Sequence, residues 1–303
     1  MPPVGSAGSR VDRGAARGHG DRADRRPTQI KHWSQSAVLK VPTSQGDVYF
    51  KTVIPEFAGE PARLAALASR FPDRIPQVVA SDEAQGRWIT RDFGGGSGWD
   101  LVGERDGCLT AFAGLQIGFV DHLDELEAAG FPVRTYDDIA TDIDQVVTRD
   151  DLWHDPSLPR ALSDDERQRF LRLGPVLADR CASLADGSFP LTVSHGDLEL
   201  LNVVRAANGW VLHDWTCAAI SHPFIDLACW VSDCDETEAA GAMAAYLDAW
   251  QPFGSAAELQ RRWMLAKPVG GMCELLSSPT FWMRSNETSG SRSRRCSSDG
   301  RAG

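Results

Sequence analysis

Residues 193–228 read VSHGDLELLNVVRAANGWVLHDWTCAAISHPFIDLA and are the segment most informative about chemistry. Two apolar, strand-like runs each end on an acid: VSHGD places Asp197 after the first, and VLHD places Asp214 after the second. Asn202 follows Asp197 by five positions. A carboxylate, an amide oxygen and a second carboxylate at strand–loop junctions can converge on one point. Oxygen donors of this kind suit a hard cation such as Mg2+, which keeps several waters and takes further oxygens from phosphates. The carboxylate left over can accept a proton from a hydroxyl. Asp and Asn also form turns, and an isolated Asp-x4-Asn carries little meaning by itself.

The larger pattern is more specific. His-Gly-Asp-x4-Asn, then Asp214-Trp215, then Pro223-Phe224-Ile225-Asp226-Leu227, resembles the signature of the aminoglycoside phosphotransferase and choline kinase-like family. The resemblance covers about residues 32–270 and implies an α+β, two-lobed protein-kinase-like fold, with a small antiparallel β-rich lobe and a larger, mainly helical one. Carried over by position, it implies that Asp197 orients the acceptor hydroxyl and takes its proton. Asn202 and Asp214 bind Mg2+, Asp214 holding it against the β- and γ-phosphates of ATP. Asp226 braces the catalytic loop. His195 reads as a second brace more than as a proton carrier, because Asp197 already fills the base role. Phosphoryl transfer of this kind relies on alignment and charge neutralisation more than on covalent chemistry.

The elements that must position these groups can be traced outward. Residues 36–41 and 47–54 are β-rich runs joined by the turn PTSQG. A helix follows over PEFAGEPARLAALASRF, with Pro61 suited to its first turn and Leu64, Leu67 and Phe71 at helical spacing. Two further strands are expected at 77–80 and 87–91. The chain holds only four lysines, at 31, 40, 51 and 267. Lys51, inside the apolar run DVYFKTV, matches the ATP-phosphate lysine of kinase strands, with Lys40 its rival. Its ionic partner is expected to be Glu60, with Glu56 second. Asp92, Phe93 and Gly94 fall where such kinases bind adenine. The strand–turn–strand expected over the phosphates, HWSQSAVLKV, has no glycine-rich loop, so Ser34 and Ser36 are its candidate substitutes.

FGGGSG at 93–98 marks a boundary, dividing a nucleotide-binding lobe (32–92) from a catalytic and substrate lobe (93–283). Beyond it Leu109, Phe112, Leu115, Phe119, Leu123 and Leu126 form one long helical face. More helices are expected near 136–147, 164–185 (kinked or split at Gly174-Pro175), 224–233, 236–250 and 256–267. Short strands lie at 191–194 and 210–213. Residues 1–31 and 284–303 have no core pattern and read as disordered tails.

Composition bounds the remaining choices. Residues 1–32 carry seven Lys/Arg against three Asp, and 284–303 five Arg against two acids, so the formal −11 of the whole chain becomes about −18 on 33–283. Such a body repels nucleic acid. No run of about 18 apolar residues is present to span a membrane, and the N-terminus lacks a secretory apolar core. Seven cysteines without a CxxC pair fit a reduced, cytoplasmic protein. The acceptor is expected to be a small hydroxylated molecule, an aminoglycoside-like antibiotic or a metabolite; the oligomeric state is not legible. Seven Asp within 136–155 read as a substrate-facing wall or, more plainly, as a solvated helix face. The alternative function is a catalytically silent kinase-like binding module, or a truncated or frameshifted inactive relative. The intact Asp197, Asn202 and Asp214 set argues against it.

Overall fold

The computed structural model describes residues 26–33, 35–97, 104–148, 163–232 and 234–277. Its first lobe is a five-stranded antiparallel sheet built from β1 (Thr28–His32), β2 (Ser36–Thr43), β3 (Gly46–Val53), β4 (Val78–Asp82) and β5 (Arg87–Arg91), in the order β1-β2-β3-β5-β4. Thr43 tightens the β2–β3 turn by donating its hydroxyl to the Gly46 carbonyl at 2.6 Å. Helix α1 (Glu60–Arg70) follows β3; Pro61 sits in its first turn and Leu64 and Leu67 are buried. β1 corrects one expectation. The tail is expected to run through residue 31, but Thr28–His32 pairs with β2 and belongs to the sheet. Residues 1–25 lie outside the described residues, as do Ser34 and the tail from 284.

The second lobe is mainly helical: α2 (Arg105–Ile117), α3 (Leu123–Ala128), α4 (Tyr136–Thr148), α5 (Asp164–Leu184), α6 (Asp226–Ser232), α7 (Glu236–Ala249) and α8 (Ala256–Ser277). Two small sheets sit among them, β6-β8-β9 (Gly96–Ser97, Val203–Ala206, Gly209–Leu212) and β7-β10 (Thr192–Ser194, Ala219–Ser221). The core fills this lobe, with Phe112, Trp215, Trp230, Tyr246 and Trp250 fully buried. The expected single helical face over 109–126 is divided, because the chain turns at 118–122 and folds Phe119 and Leu126 back onto one core. α5 passes through Gly174-Pro175 without splitting, and Gly174 packs against Val147 of α4. α8 continues through Pro268 to Ser277, ten residues beyond the expected end at 267.

At the boundary Gly95 has φ +97°, and a Cβ there would lie 2.2 Å from the Arg205 carbonyl, so only glycine lets the linker pass this close to β8. The linker crosses as β6, whose Gly96 and Ser97 pair with Arg205 and Val204 of β8, so the connection is ordered into the second lobe.

Candidate active site

The sheet register places the first cation. Lys51 on β3 faces Val38 on one side and Trp88 on the other. Its ammonium lies 2.6 Å from Glu60 Oε2 and 2.6 Å from Asp214 Oδ1, with the Thr216 hydroxyl at 3.0 Å and the Trp88 ring face at 5.3 Å. Glu60 opens α1 and is 2% exposed. Its second oxygen accepts from the Trp215 amide at 3.2 Å. Glu60 is therefore the partner of Lys51, as expected over Glu56. Lys40, the rival lysine, instead pairs with Asp92 at 2.7 Å and Asp47 at 3.3 Å. Burial works against the Lys51 charge, but Glu60 and Asp214 overcome it and hold its pKa above the ordinary lysine value.

Asp214 ends the run after β9 in the left-handed region, φ 65°, the one non-glycine residue with positive φ among the described residues. Asp tolerates this conformation better than most residues, at a cost of roughly 1 kcal/mol or more. The turn presents both carboxylate oxygens to the first lobe. Oδ1 meets Lys51, and Oδ2 meets Lys31 of β1 at 3.3 Å. Burial opposes ionisation, yet Lys51 and then Lys31 hold the carboxyl well below the usual carboxylate range. Thr216 lies 2.7 Å from Glu60 Oε2 and 2.8 Å from Asp214 Oδ1, and its single proton serves one acid at a time.

The Asp197 loop is locked to this turn. Asn202 donates its side-chain amide to the Asp197 carbonyl at 2.8 Å and to Asp197 Oδ2 at 2.9 Å, which leaves the Asn202 oxygen as the end not used on Asp197. The Asn202 backbone carbonyl accepts from the His213 amide at 2.9 Å, immediately before Asp214. Gly196 has φ +77°, and a Cβ there would lie 2.3 Å from the Cys217 carbonyl, so only glycine lets the loop approach the segment after Asp214. Asp226 clamps the loop from behind, accepting from the Ser194 hydroxyl (3.0 Å) and the backbone amides of His195 (3.0 Å) and Gly196 (2.8 Å). His195 is buried against Trp215 and donates Nε2–H to the His213 carbonyl at 3.0 Å, which makes it a brace. Burial lowers its pKa and keeps the ring neutral.

Phe93 lies between the lobes. Its ring stacks on Tyr49 at 5.7 Å and on His213 at 5.6 Å. Tyr49 precedes Lys51 by two positions on β3 and so shares its face. The Asp92 carboxylate turns to Lys40 and to the Gly94 amide, 2.8 Å away. Ser36 opens β2, and its carbonyl accepts from the Trp33 amide at 2.8 Å, closing the β1–β2 turn. The acidic stretch is partly spent on structure: Asp138 accepts from Thr135 and Asp142 pairs with Arg134, while Asp150, Asp151 and Asp155 lie outside the described residues. Sequence reasoning missed Thr216 and the approach of Lys31. Thr216 follows the Asp-Trp pair directly, and Lys31 was hidden by being assigned to a tail.

Among the described residues no group of three His, Cys, Asp or Glu side chains is placed to hold a metal alone. The Asp214 carboxylate and the Asn202 amide oxygen nonetheless fit a hard cation that draws its remaining oxygens from phosphate and water.

A β-sheet lobe and a helical lobe meeting at a lysine–carboxylate pair and an Asp–Asn loop define the two-lobed, protein-kinase-like class. The model of the phosphotransferase enzyme family matches residues 16–262, and the chain belongs to that family. By that membership it is a phosphotransferase. Solved structures of similar fold include the GDP complex of aminoglycoside 2'-phosphotransferase-IIIa (16% identity, TM-score 0.60, covering 89% of each chain). The GDP and kanamycin complex of APH(2")-IIia is also similar (18%, TM-score 0.58, covering 89% of this chain and 90% of that one). A third is an ethanolamine kinase from Plasmodium vivax (13%, TM-score 0.54, 90% and 84%). No curated protein matches the sequence. No helix among the described residues is long and apolar enough to cross a membrane.

Proposed function

We propose that the chain transfers the γ-phosphoryl group of ATP, taken as its Mg2+ complex, to a hydroxyl group of a small molecule. The observation that carries this reading is the charged junction of the lobes: Lys51 bridges Glu60 and Asp214, and the Asp197–Asn202 loop is hydrogen-bonded to the segment that holds Asp214. Asp197 aligns the acceptor hydroxyl and receives its proton as the oxygen bonds to the γ-phosphorus and the β–γ bridging oxygen departs with ADP. Asn202, by donating to Asp197 Oδ2, fixes the carboxylate's orientation. Asp214 and the Asn202 oxygen would hold Mg2+, which neutralises charge on the transferring phosphates. Lys51, kept cationic and in place by Glu60, faces those phosphates. Asp92, Phe93 and Gly94 form the nucleobase side of the cleft, and Ser36 the turn above the phosphates.

Support for the acceptor class comes from the family and from neighbours whose names specify aminoglycoside, macrolide and ethanolamine. We read it as a hydroxylated antibiotic or metabolite, met in the cytoplasm, with no nucleic-acid or membrane partner. The lobes are assigned as 28–92, with β1 included, and 93–283. The test is a screen of hydroxyl compounds for acceptor-dependent consumption of ATP, with GTP in parallel, by the full chain and by Asp197→Ala. Acceptor-dependent consumption that Asp197→Ala lacks supports the reading. Nucleotide binding with no turnover on any acceptor would favour a silent binding module.

A further inference from the structure

The cleft receives a second lysine from the sheet. In antiparallel pairing, directly opposed residues project from the same face. Lys31 of β1 opposes Val38 of β2, Val38 opposes Lys51 of β3, and Lys51 opposes Trp88 of β5. Lys31 and Lys51 thus emerge on one face in one cross-strand row, about 10 Å apart at the backbone, two strand spacings. Both side chains converge on the same carboxylate, Lys51 on Asp214 Oδ1 at 2.6 Å and Lys31 on Oδ2 at 3.3 Å.

The two lysines are held differently. Lys51 is fixed by Glu60, Asp214 and Thr216, and its side chain is 12% exposed. Lys31 is 39% exposed, makes the longer contact, and has its ammonium 5.3 Å from the Trp33 ring face. It stands near the end of β1, just before a turn whose sequence, WSQS, holds no glycine. The four groups balance two acids against two bases. A cation placed on Asp214 would compete with Lys31 for Oδ2, while the phosphates that accompany it bring more negative charge than one Mg2+ offsets.

We infer that Lys31 is a nucleotide-binding residue: when Mg-nucleotide enters, its ammonium passes from Asp214 Oδ2 to the terminal phosphate oxygens and supplies charge neutralisation in place of a glycine-rich loop. The inference rests on the proposed phosphotransfer reading. Lys31 sits on an edge strand and is partly exposed, so its replacement leaves the fold intact. A Lys51 variant would not, because it strands the buried Glu60.

Calorimetric titration of the full chain and of Lys31→Ala and Lys31→Arg with Mg-AMP-PNP and with Mg-ADP tests this. A charge-assisted contact to the terminal phosphate predicts that Lys31→Ala weakens Mg-AMP-PNP binding by about ten- to a hundredfold. Mg-ADP, which lacks that phosphate, is affected much less, and Lys31→Arg recovers part of the loss. Equal affinities of the unaltered chain and Lys31→Ala for Mg-AMP-PNP would overturn the inference and leave the phosphotransfer reading standing. Tighter binding by Lys31→Ala would also overturn it, making Lys31 a competitor for Asp214 only. An unaltered chain that binds neither nucleotide would overturn both.

Discussion

Asp197 and Asp214 are both carboxylates, and their surroundings separate their work. Asp197 is hydrogen-bonded to Asn202 within its own loop, whereas Asp214 is gripped by two lysines from the opposite lobe. Asp197→Ala is expected to lower turnover by a factor of about a hundred to ten thousand, the usual worth of a positioned acid–base group, while Mg-nucleotide binding survives. Asp214→Ala removes the anion that Lys51, Lys31 and a cation share, so nucleotide binding should fall together with turnover. One turnover assay and one Mg-nucleotide titration of each variant check the split, and a reversed pattern would exchange the roles. His222 offers a pH-dependent test away from the chemistry. Its Nδ1 accepts from the Phe224 amide at 3.1 Å, and burial, followed by the nearby Arg262 charge, pushes the imidazole down to about 3. A pKa depressed on folding gives stability that is complete above the unfolded value of about 6.5 and drains away as pH falls toward the folded one. Asn at 222 preserves an acceptor for the Phe224 amide without a titrating ring. The stability advantage of the unaltered chain over His222→Asn, read from urea midpoints, should therefore shrink between pH 7 and 4.5; parallel curves would contradict the assignment.

Elements carry these residues into register, and beside Asp197 the fit is tight at Gly196. An alanine there meets both a left-handed φ and the Cys217 carbonyl, so Gly196→Ala should cost roughly 2 kcal/mol or more and displace Asp197. Turnover falling further than stability alone explains, with urea unfolding and kinetics measured on the same preparation, is the expected result; a neutral substitution would mean the loop can shift freely. Much of this arrangement was legible in the sequence. The apolar runs ending in Asp197 and Asp214 became β7 and β9 with their following turns, and Lys51 within an apolar run became the cleft lysine on β3. The spacing of Leu64 and Leu67 marked the buried face of α1. What failed had physical causes. β1 was lost because TQIKH has one large apolar residue, Ile30, and that residue is 55% exposed, so the strand is held by its ladder with β2 and not by burial. With β1 went the placement of Lys31. The helix over 109–126 kept its apolar periodicity through a turn, because residues on both sides pack into one core and periodicity cannot see a change of direction. β6 was hidden in a glycine-rich linker whose pairing with β8 depends on backbone alone. Thr216 carried no signal, since a hydroxyl beside an Asp-Trp pair is common until tertiary structure brings Glu60 to it.

Across the cleft the lobes meet through charge and ring contacts: Lys51 and Lys31 to Asp214, Glu60 to the Trp215 amide and the Thr216 hydroxyl, and Phe93 between Tyr49 and His213, while α1 and the residue after it are tied to the second lobe separately by Arg70–Glu125 and Phe71–Phe119. A ligand bound there contacts both lobes and stabilises the folded chain as a unit. The most direct measurement is the melting temperature of the full chain alone, with millimolar Mg-ATP, and with ATP plus a chelator. A nucleotide present at about a hundred times its dissociation constant adds roughly 2.7 kcal/mol to the folded state, enough to raise the transition by several degrees. The account predicts that rise with Mg-ATP and a smaller one when the metal is removed. A melting curve unmoved by millimolar Mg-ATP, and equally by Mg-GTP, would contradict the assignment of this cleft to nucleotide-dependent phosphoryl transfer.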